Sequence, residues 1–320
     1  MKKTGLLLAL SLAMAVTAAA QQGAAATDQP TPDGTVSTNV NFPVESIVTP
    51  NYTDMQCAGF VDKQLLPNAT YVAGGLDTPN TTQYASGDLI FLAGQGYELG
   101  KRYRIVRELR DPNRRELFNG QASMLKAMGQ PYAELATAKV IDTRSKTAVA
   151  RIDFSCSPVL PGDIVTGFVE RPALPAHGPL RFDRLAPSNG KLSGRIVLAK
   201  DFDAALGTGM KVYMNLGTNQ GVKVGDYFRA VRSYEADLHN PVDSISFKAS
   251  TAEDTQAKPP SIEQTMLTRT NGPVIHVADF PRRAVGEVLV LEATPTTSTG
   301  MIVYAMEDIH LGDGVELDQQ

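Results

Sequence analysis

An internal repeat limits what this chain of 320 residues can fold into. The stretch YELGKRYRIVR at residues 97–107 recurs as VKVGDYFRAVR at residues 222–232, a shift of 125 positions. A second block, residues 136–165, aligns without a gap on residues 286–315 at a shift of 150 positions. Because the same residue types recur at the same spacing in both blocks, we expect one folding unit that is used twice.

Each copy has the pattern of a small antiparallel β-barrel. In the second copy, short β-rich runs separated by turn residues lie at 210–216, 226–232, 286–292, 299–305 and 314–317. Five such strands would make a closed or nearly closed sheet. The expected fold class is mainly β, with two tandem SH3-like small β-barrels that carry loop and helix inserts.

Recurring Gly and Asp residues mark the turns of both copies. They are Gly96, Gly100, Gly162 and Asp163 in the first copy and Gly221, Gly225, Gly312 and Asp313 in the second. Glycine adopts positive φ without strain, and Asp is a common turn former, so we expect structural turn roles for all eight residues.

Both copies are interrupted after the predicted second strand. The insert of the first copy, residues 112–130, is predicted to be helical, with Leu117, Met124, Leu125 and Met128 covering one end of the barrel. The insert of the second copy, residues 235–281, is polar and rich in Pro, and no structure is predicted for it.

The start of the chain is typical of an export signal. Lys2 and Lys3 precede an apolar run that is too short to span a bilayer, and small residues follow up to Ala20. The predicted organisation is a signal peptide at 1–20, a flexible leader at 21–50, a first repeat at 51–172, a linker at 173–184 and a second repeat at 185–318. No later stretch of about 18 apolar residues follows, so we expect a soluble periplasmic or extracellular protein without a transmembrane segment.

The residues of the second copy also resemble a known family. GVKVGDYFRAVR, GEVLVLE and GDGVEL are similar to the C-terminal domain of the flagellar assembly protein T family and to related SH3-like barrels of exported bacterial envelope proteins. The resemblance covers mainly residues 207–317 and more weakly residues 86–170. It implies a barrel rather than a particular task.

Two cysteines, Cys57 and Cys156, are predicted to form a disulfide, because paired cysteines are common in exported proteins. Met306 occupies the position of Cys156 in the second copy. The barrel itself therefore does not need the thiol, and the bridge is expected to tie the N-terminal lead-in to the first barrel.

The residue types used in catalysis form no recognisable motif. The four histidines, His177, His239, His276 and His310, have no metal-ligand spacing, and no GxSxG elbow is present. No catalytic residue, metal or cofactor is predicted. His276, with Asp279 nearby, leaves one alternative open: a periplasmic hydrolase with a site built from the 235–281 insert.

Four arginines recur with the repeat, namely Arg104, Arg107, Arg229 and Arg232. They are weak candidates for ligand binding, and cross-strand ion pairs are the other interpretation. Nucleic acid is not an expected partner, because 30 Lys and Arg residues are outnumbered by 34 Asp and Glu residues and form no basic block. The expected function is a non-catalytic cell-envelope binding or scaffolding module that contacts another protein or peptidoglycan.

Overall fold

The computed structural model describes residues 47–76, 81–112, 115–175, 183–232, 249–250, 255–256, 275–276 and 281–318. The predicted signal peptide, residues 21–46 of the predicted leader and most of the 235–281 insert lie outside these ranges. In the part of the chain that is described, no helix is long and apolar enough to cross a membrane.

The first repeat forms a closed antiparallel barrel, called barrel one. Its elements are α1 (Tyr52–Gln56), β1 (Phe60–Asp62), β2 (Tyr71–Gly75), β3 (Leu89–Ala93), β4 (Arg102–Glu108), α2 (Gln121–Met128), β5 (Gln130–Asp142), β6 (Ala148–Ser155) and β7 (Ile164–Gly167). The ring runs β5-β4-β7-β2-β3-β6 and returns to β5, while β1 pairs with the start of β5.

The second repeat forms barrel two. Its elements are β8 (Ser193–Ala199), β9 (Ala205–Leu206), β10 (Lys211–Met214), a 3₁₀ turn (Thr218–Gln220), β11 (Tyr227–Arg232), β15 (Arg283–Ala293), β16 (Ser298–Ala305), β17 (Ile309–His310) and β18 (Gly314–Leu317). The ring runs β15-β11-β18-β8-β10-β16. Within the insert, β12 (Ala249–Ser250), β13 (Thr255–Gln256) and β14 (Ile275–His276) form a separate small sheet.

The two rings agree in strand order and in register. Ile105 of β4 pairs with Ala136 of β5, and the corresponding Ala230 of β11 pairs with Gly286 of β15. Both pairs are followed by a β-bulge at the same step. Residues at matching register positions are called equivalent below. The predicted fold class of two tandem barrels is therefore confirmed.

The predicted number of strands is wrong, because each ring has six strands and not five. The strand missing from the prediction for barrel two is β8, which closes the ring between β18 and β10. Its run IVLA does not alternate, because Ile196 and Ala199 belong to the barrel core while Val197 and Leu198 are buried against other elements. A strand that is buried on both faces lacks the period-2 signal.

The insert of barrel one is predicted to be helical over residues 112–130, but its described residues form a helix only at Gln121–Met128. It packs on barrel two, contrary to the expectation that it covers an end of the barrel that it interrupts. Met128 of α2 lies in an apolar cluster with Val197 and Tyr213, which Met124 and Leu125 also contact. The Gln121 side chain donates a hydrogen bond from Nε2 to the Val197 carbonyl at 3.0 Å. Leu117 packs against the core of barrel two. The insert therefore forms part of the contact between the two barrels.

The predicted disulfide between Cys57 and Cys156 is present, with the two Cα atoms 5.7 Å apart. It closes a loop across 99 positions, for which chain entropy gives a stabilisation of about 4.7 kcal/mol. Cys57 directly follows α1 and Cys156 directly follows β6. The bridge therefore ties the N-terminal lead-in to barrel one, as expected.

Candidate binding site at the open end of barrel one

Arg107 and Arg232 hold the turn before the last strand of each barrel. Arg107 donates from Nε and Nη2 to the Asp163 carboxylate at 2.7 and 2.8 Å. Arg232 makes the same two bonds to Asp313 at 2.8 and 2.7 Å. Each carboxylate also accepts a backbone N–H of its own turn, from Leu160 or His310. These pairs recur with the fold and close the turn.

The other two recurring arginines are also held by carboxylates. Arg229 donates to Asp318 at 3.0 Å. Arg104 lies in an ion cluster between the barrels, 2.8 Å from Glu134 of β5 and 3.3 Å from Glu292 of β15. Arg171, from the segment after β7, bridges the same two glutamates, and its distance to Glu292 is 2.7 Å. Three of the four recurring arginines therefore have structural partners away from any described cavity.

Arg107 differs from the other three because it is 36% exposed and lines a cavity of about 320 Å³. Its equivalent Arg232 is only 3% exposed.

All six glycines that were predicted as turn residues have positive φ. The angles are 89° at Gly96, 81° at Gly100, 92° at Gly162, 93° at Gly221, 94° at Gly225 and 100° at Gly312. At Gly312 a Cβ atom would also lie 2.9 Å from the ring of Phe118, which comes from the insert of barrel one. At the equivalent Gly162 the space is open. The turn is therefore covered in barrel two and open in barrel one.

The histidines do not come together. His310 is buried in β17, and its backbone N–H donates to Asp313. His276 lies in β14 opposite Thr255, while His177 and His239 lie outside the described residues. Within the described ranges, no group of three or more His, Cys, Asp or Glu residues could hold a metal ion.

A cavity of about 240 Å³ opens at the end of barrel one where β7 finishes. Its apolar wall is formed by Leu66, Pro67, Tyr97, Tyr103 and Val165, and Gly167 lies at its edge. A second cavity of about 220 Å³ is also lined by Tyr97 and reaches Lys146 in the β5–β6 hairpin. Tyr97 therefore lines both cavities. We call this surface the Tyr97 end.

Hydrogen bonds fix the tyrosine pair at the Tyr97 end. The rings of Tyr97 and Tyr103 meet edge to face, with centroids 5.2 Å apart. The Tyr97 hydroxyl donates to the Ala93 carbonyl at 2.9 Å, and the Tyr103 hydroxyl accepts the Glu98 N–H at 3.0 Å. Burial, together with the neighbouring Tyr103, raises the pKa of Tyr97 to about 12. The Tyr97 phenol therefore stays protonated at neutral pH, and the site presents two aromatic rings that hydrogen bonds hold in place.

In barrel two the equivalent place is filled. Val222 replaces Tyr97 and is 2% exposed, and Leu317 replaces Gly167 and packs against the barrel core. The Leu317 N–H donates to the Leu192 carbonyl at 2.8 Å. The Asn189 side chain donates to the Leu317 carbonyl at 2.8 Å. Among the residues that the structure describes, the Tyr97 end is therefore a feature of barrel one alone.

Sequence reasoning did not identify Tyr97 or Gly167 as site residues. The readable signal lay inside the repeat itself, where Tyr97 aligns with Val222 and Gly167 aligns with Leu317. Residues shared by the copies maintain the fold, whereas residues that differ are candidates for function.

No known protein family matches the chain, and no curated protein is significantly similar to it in sequence. What the structure supports of the family resemblance is the coarse feature, two closed antiparallel barrels of six strands.

Proposed function

We propose that the protein is a non-catalytic binding module of the cell envelope, in which barrel two is the scaffold and barrel one binds a partner protein at the Tyr97 end. One observation carries the proposal: the position that Leu317 fills in barrel two is accessible in barrel one, where the equivalent residue is Gly167. Apolar and aromatic cavities of this kind bind ligands without catalytic groups.

The envelope setting has separate support. A disulfide persists in oxidising compartments, and the first 20 residues read as an export signal. The resemblance to the flagellar assembly protein T family points to the same setting, because it includes barrels of exported envelope proteins.

Site-specific photo-crosslinking in intact cells tests the proposal. Leu99, two residues after Tyr97, is 68% exposed, and its equivalent Val224 in barrel two is 46% exposed, so the two positions form a matched pair. The photoreactive amino acid p-benzoylphenylalanine is placed at one or the other. We expect one defined protein adduct at position 99 and none at position 224.

Adducts of equal yield at both positions, or at neither, would contradict the proposal. An adduct that muramidase digestion releases would identify peptidoglycan as the partner in place of a protein. The hydrolase alternative remains a prediction about His276, and it would gain support if His276→Ala abolished hydrolysis of envelope material.

A further inference from the structure

The cavity beside Tyr97 exists because barrel one lacks a side chain that barrel two has. Leu317 at the end of β18 packs against its barrel core, and the equivalent residue at the end of β7 is Gly167. A Cβ atom built on Gly167 would have no heavy atom within 4 Å. Gly167 lines the cavity of about 240 Å³, so there is open space at the position where barrel two has a packed leucine side chain.

On the side of β2, Gly167 also lacks the hydrogen-bond partner that Leu317 has in barrel two, although Gly167 pairs with Tyr103 of β4 on its other side. The Val165 N–H donates to the Thr70 carbonyl of the neighbouring chain segment at 2.9 Å. Successive N–H groups of a strand point to opposite sides, so the Gly167 N–H points to the same side as that of Val165. In barrel two the corresponding Leu317 N–H is bonded to Leu192. The counterpart of Leu192 in barrel one is Asn68, which is exposed, and the described residues contain no hydrogen bond from the Gly167 N–H to the Asn68 carbonyl.

Barrel two shows what kind of group fits this place. The occupant there is the chain's own segment 188–192. Its Leu192 carbonyl accepts from the sheet, and the Leu192 side chain packs against the core. Glu316 anchors the segment by accepting from the Ser188 hydroxyl at 2.6 Å and from the Asn189 N–H at 2.8 Å. The occupant is thus a peptide that extends the sheet and carries one leucine.

We infer that barrel one binds an extended peptide segment of its partner, which adds to the sheet at Gly167 and places one leucine-sized side chain between Tyr97, Tyr103 and Val165. A peptide carbonyl accepts from the Gly167 N–H, as the Leu192 carbonyl does from Leu317 in barrel two. The proposal rests on the proposed function and specifies its ligand.

Charge at the Tyr97 end selects among such peptides. Thr166 stands where barrel two has Glu316, so the carboxylate anchor of the internal segment is missing. Lys146 is the charged residue among those lining the two cavities beside Tyr97, and it is exposed. An acidic residue next to the leucine of the ligand would therefore be favoured over a basic one.

Amide NMR with a synthetic peptide tests the inference. The probe is Ser-Asn-Gly-Glu-Leu-Ser, which is the internal sequence at 188–193 with its lysine replaced by glutamate. It is added to the ¹⁵N-labelled exported chain. We expect a saturable shift of the Gly167 amide, and at least about tenfold weaker binding when the peptide leucine is replaced by glycine, because a buried leucine is lost.

Protein variants supply the second arm of the experiment. Gly167→Leu fills the cavity with the residue that barrel two uses, and Tyr97→Val introduces the equivalent of Val222. Each is expected to weaken peptide binding about tenfold or more. Val169→Leu is the control, because Val169 is 74% exposed and lies outside the cavity lining, and its affinity should equal that of the unmodified chain.

The inference is overturned if the Gly167 amide does not shift, or if the glycine peptide binds as tightly as the leucine peptide. A partner captured at position 99 without such a peptide effect would keep the proposed function and reject this ligand. Peptide binding without any captured partner would keep this ligand and reject the proposed function.

Discussion

The two barrels share strand order and register, but the outer faces of their equivalent strands are opposite in character. In barrel two the outward residues Tyr227, Leu289, Leu291, Met301 and Val303 are buried in one apolar cluster with Met55 and Ala58. Their equivalents in barrel one are Arg102, Lys139, Ile141, Arg151 and Asp153, and all five are exposed. One copy of the repeat has its outer face covered, and the other presents a charged face to solvent.

The cover of barrel two is the N-terminal lead-in, although the disulfide ties that lead-in to barrel one. The Val48 N–H donates to the Val303 carbonyl at 3.0 Å. Thr299 donates from its hydroxyl to the Gly59 carbonyl at 2.9 Å. The outer faces of the two barrels therefore differ because of contacts between the copies. The lead-in is linked covalently to barrel one, but it packs on the outer face of barrel two.

The largest expected effect distinguishes the two turn arginines. Arg232→Ala removes a 3% exposed partner from the buried Asp313, and breaking a buried pair costs about 3–5 kcal/mol. Arg107→Ala should cost only about 1 kcal/mol, because Arg107 is 36% exposed beside a cavity from which water can reach Asp163. Urea unfolding of both variants measures the difference, and equal losses would mean that the turns are equally buried.

An intermediate effect on stability is expected from exchanging equivalent residues between the outer faces of the two barrels. Leu289→Lys places a charge at a position that is 1% exposed and should cost about 3 kcal/mol. The reverse change at the equivalent exposed position, Lys139→Leu, should alter the free energy of unfolding by less than about 0.5 kcal/mol. Thermal unfolding checks both changes. A large cost at Lys139 would indicate that the outer face of barrel one also has a packing role.

Five of the six strands in the ring of barrel two, the glycine turns and the disulfide could be predicted from the sequence. Positive φ at Gly221 follows from turn chemistry, and the one possible pairing of Cys57 with Cys156 follows from the count of cysteines. The position of α2 could not be predicted, since periodicity identifies an apolar face but not the surface that covers it. One signal was available for the outer face that the N-terminal lead-in covers: VLVL at residues 288–291 in β15 is apolar on both faces, whereas the equivalent AKVI at residues 138–141 has Lys139 on the outer face.

The cavity at the Tyr97 end could not be predicted for a related reason. It depends on the absence of a side chain at Gly167 and of a hydrogen bond between Gly167 and Asn68. Such an absence leaves no pattern in the sequence of one copy. It becomes visible only when Gly167 is compared with Leu317 at the same register position.

The smallest expected effect concerns the ion cluster between the barrels and its pH dependence. Burial and the nearby Glu134 raise the pKa of Glu292, and Arg171 and Arg104 offset only part of that rise. The equivalent residue in barrel one is Asp142, where hydrogen bonds from Arg144 lower the pKa to about 2. Equivalent carboxylates of the two barrels are therefore shifted in opposite directions.

These opposite shifts give opposite signs in stability. A raised pKa means that the folded state keeps a proton that the unfolded chain releases above about pH 4.3. The contribution of Glu292 is therefore fully present below that pH and is lost as the pH rises through its folded pKa. The contribution of Asp142 is present above about pH 3.9 and is lost only as the pH falls towards 2.

Two matched variants, measured by chemical unfolding between about pH 4 and 8, separate these contributions. The unmodified chain should lose stability relative to the Glu292→Gln variant as the pH rises. This loss should be smaller than the loss expected for Arg232→Ala, because Arg104 and Arg171 offset part of the rise in the pKa of Glu292. The stability of the unmodified chain relative to Asp142→Asn should stay level over most of the range, because Asp142 is already ionised there. If the advantage over Glu292→Gln instead grew with pH, Arg104 and Arg171 would outweigh burial. The cluster would then stabilise the contact between the barrels as an ordinary set of ion pairs.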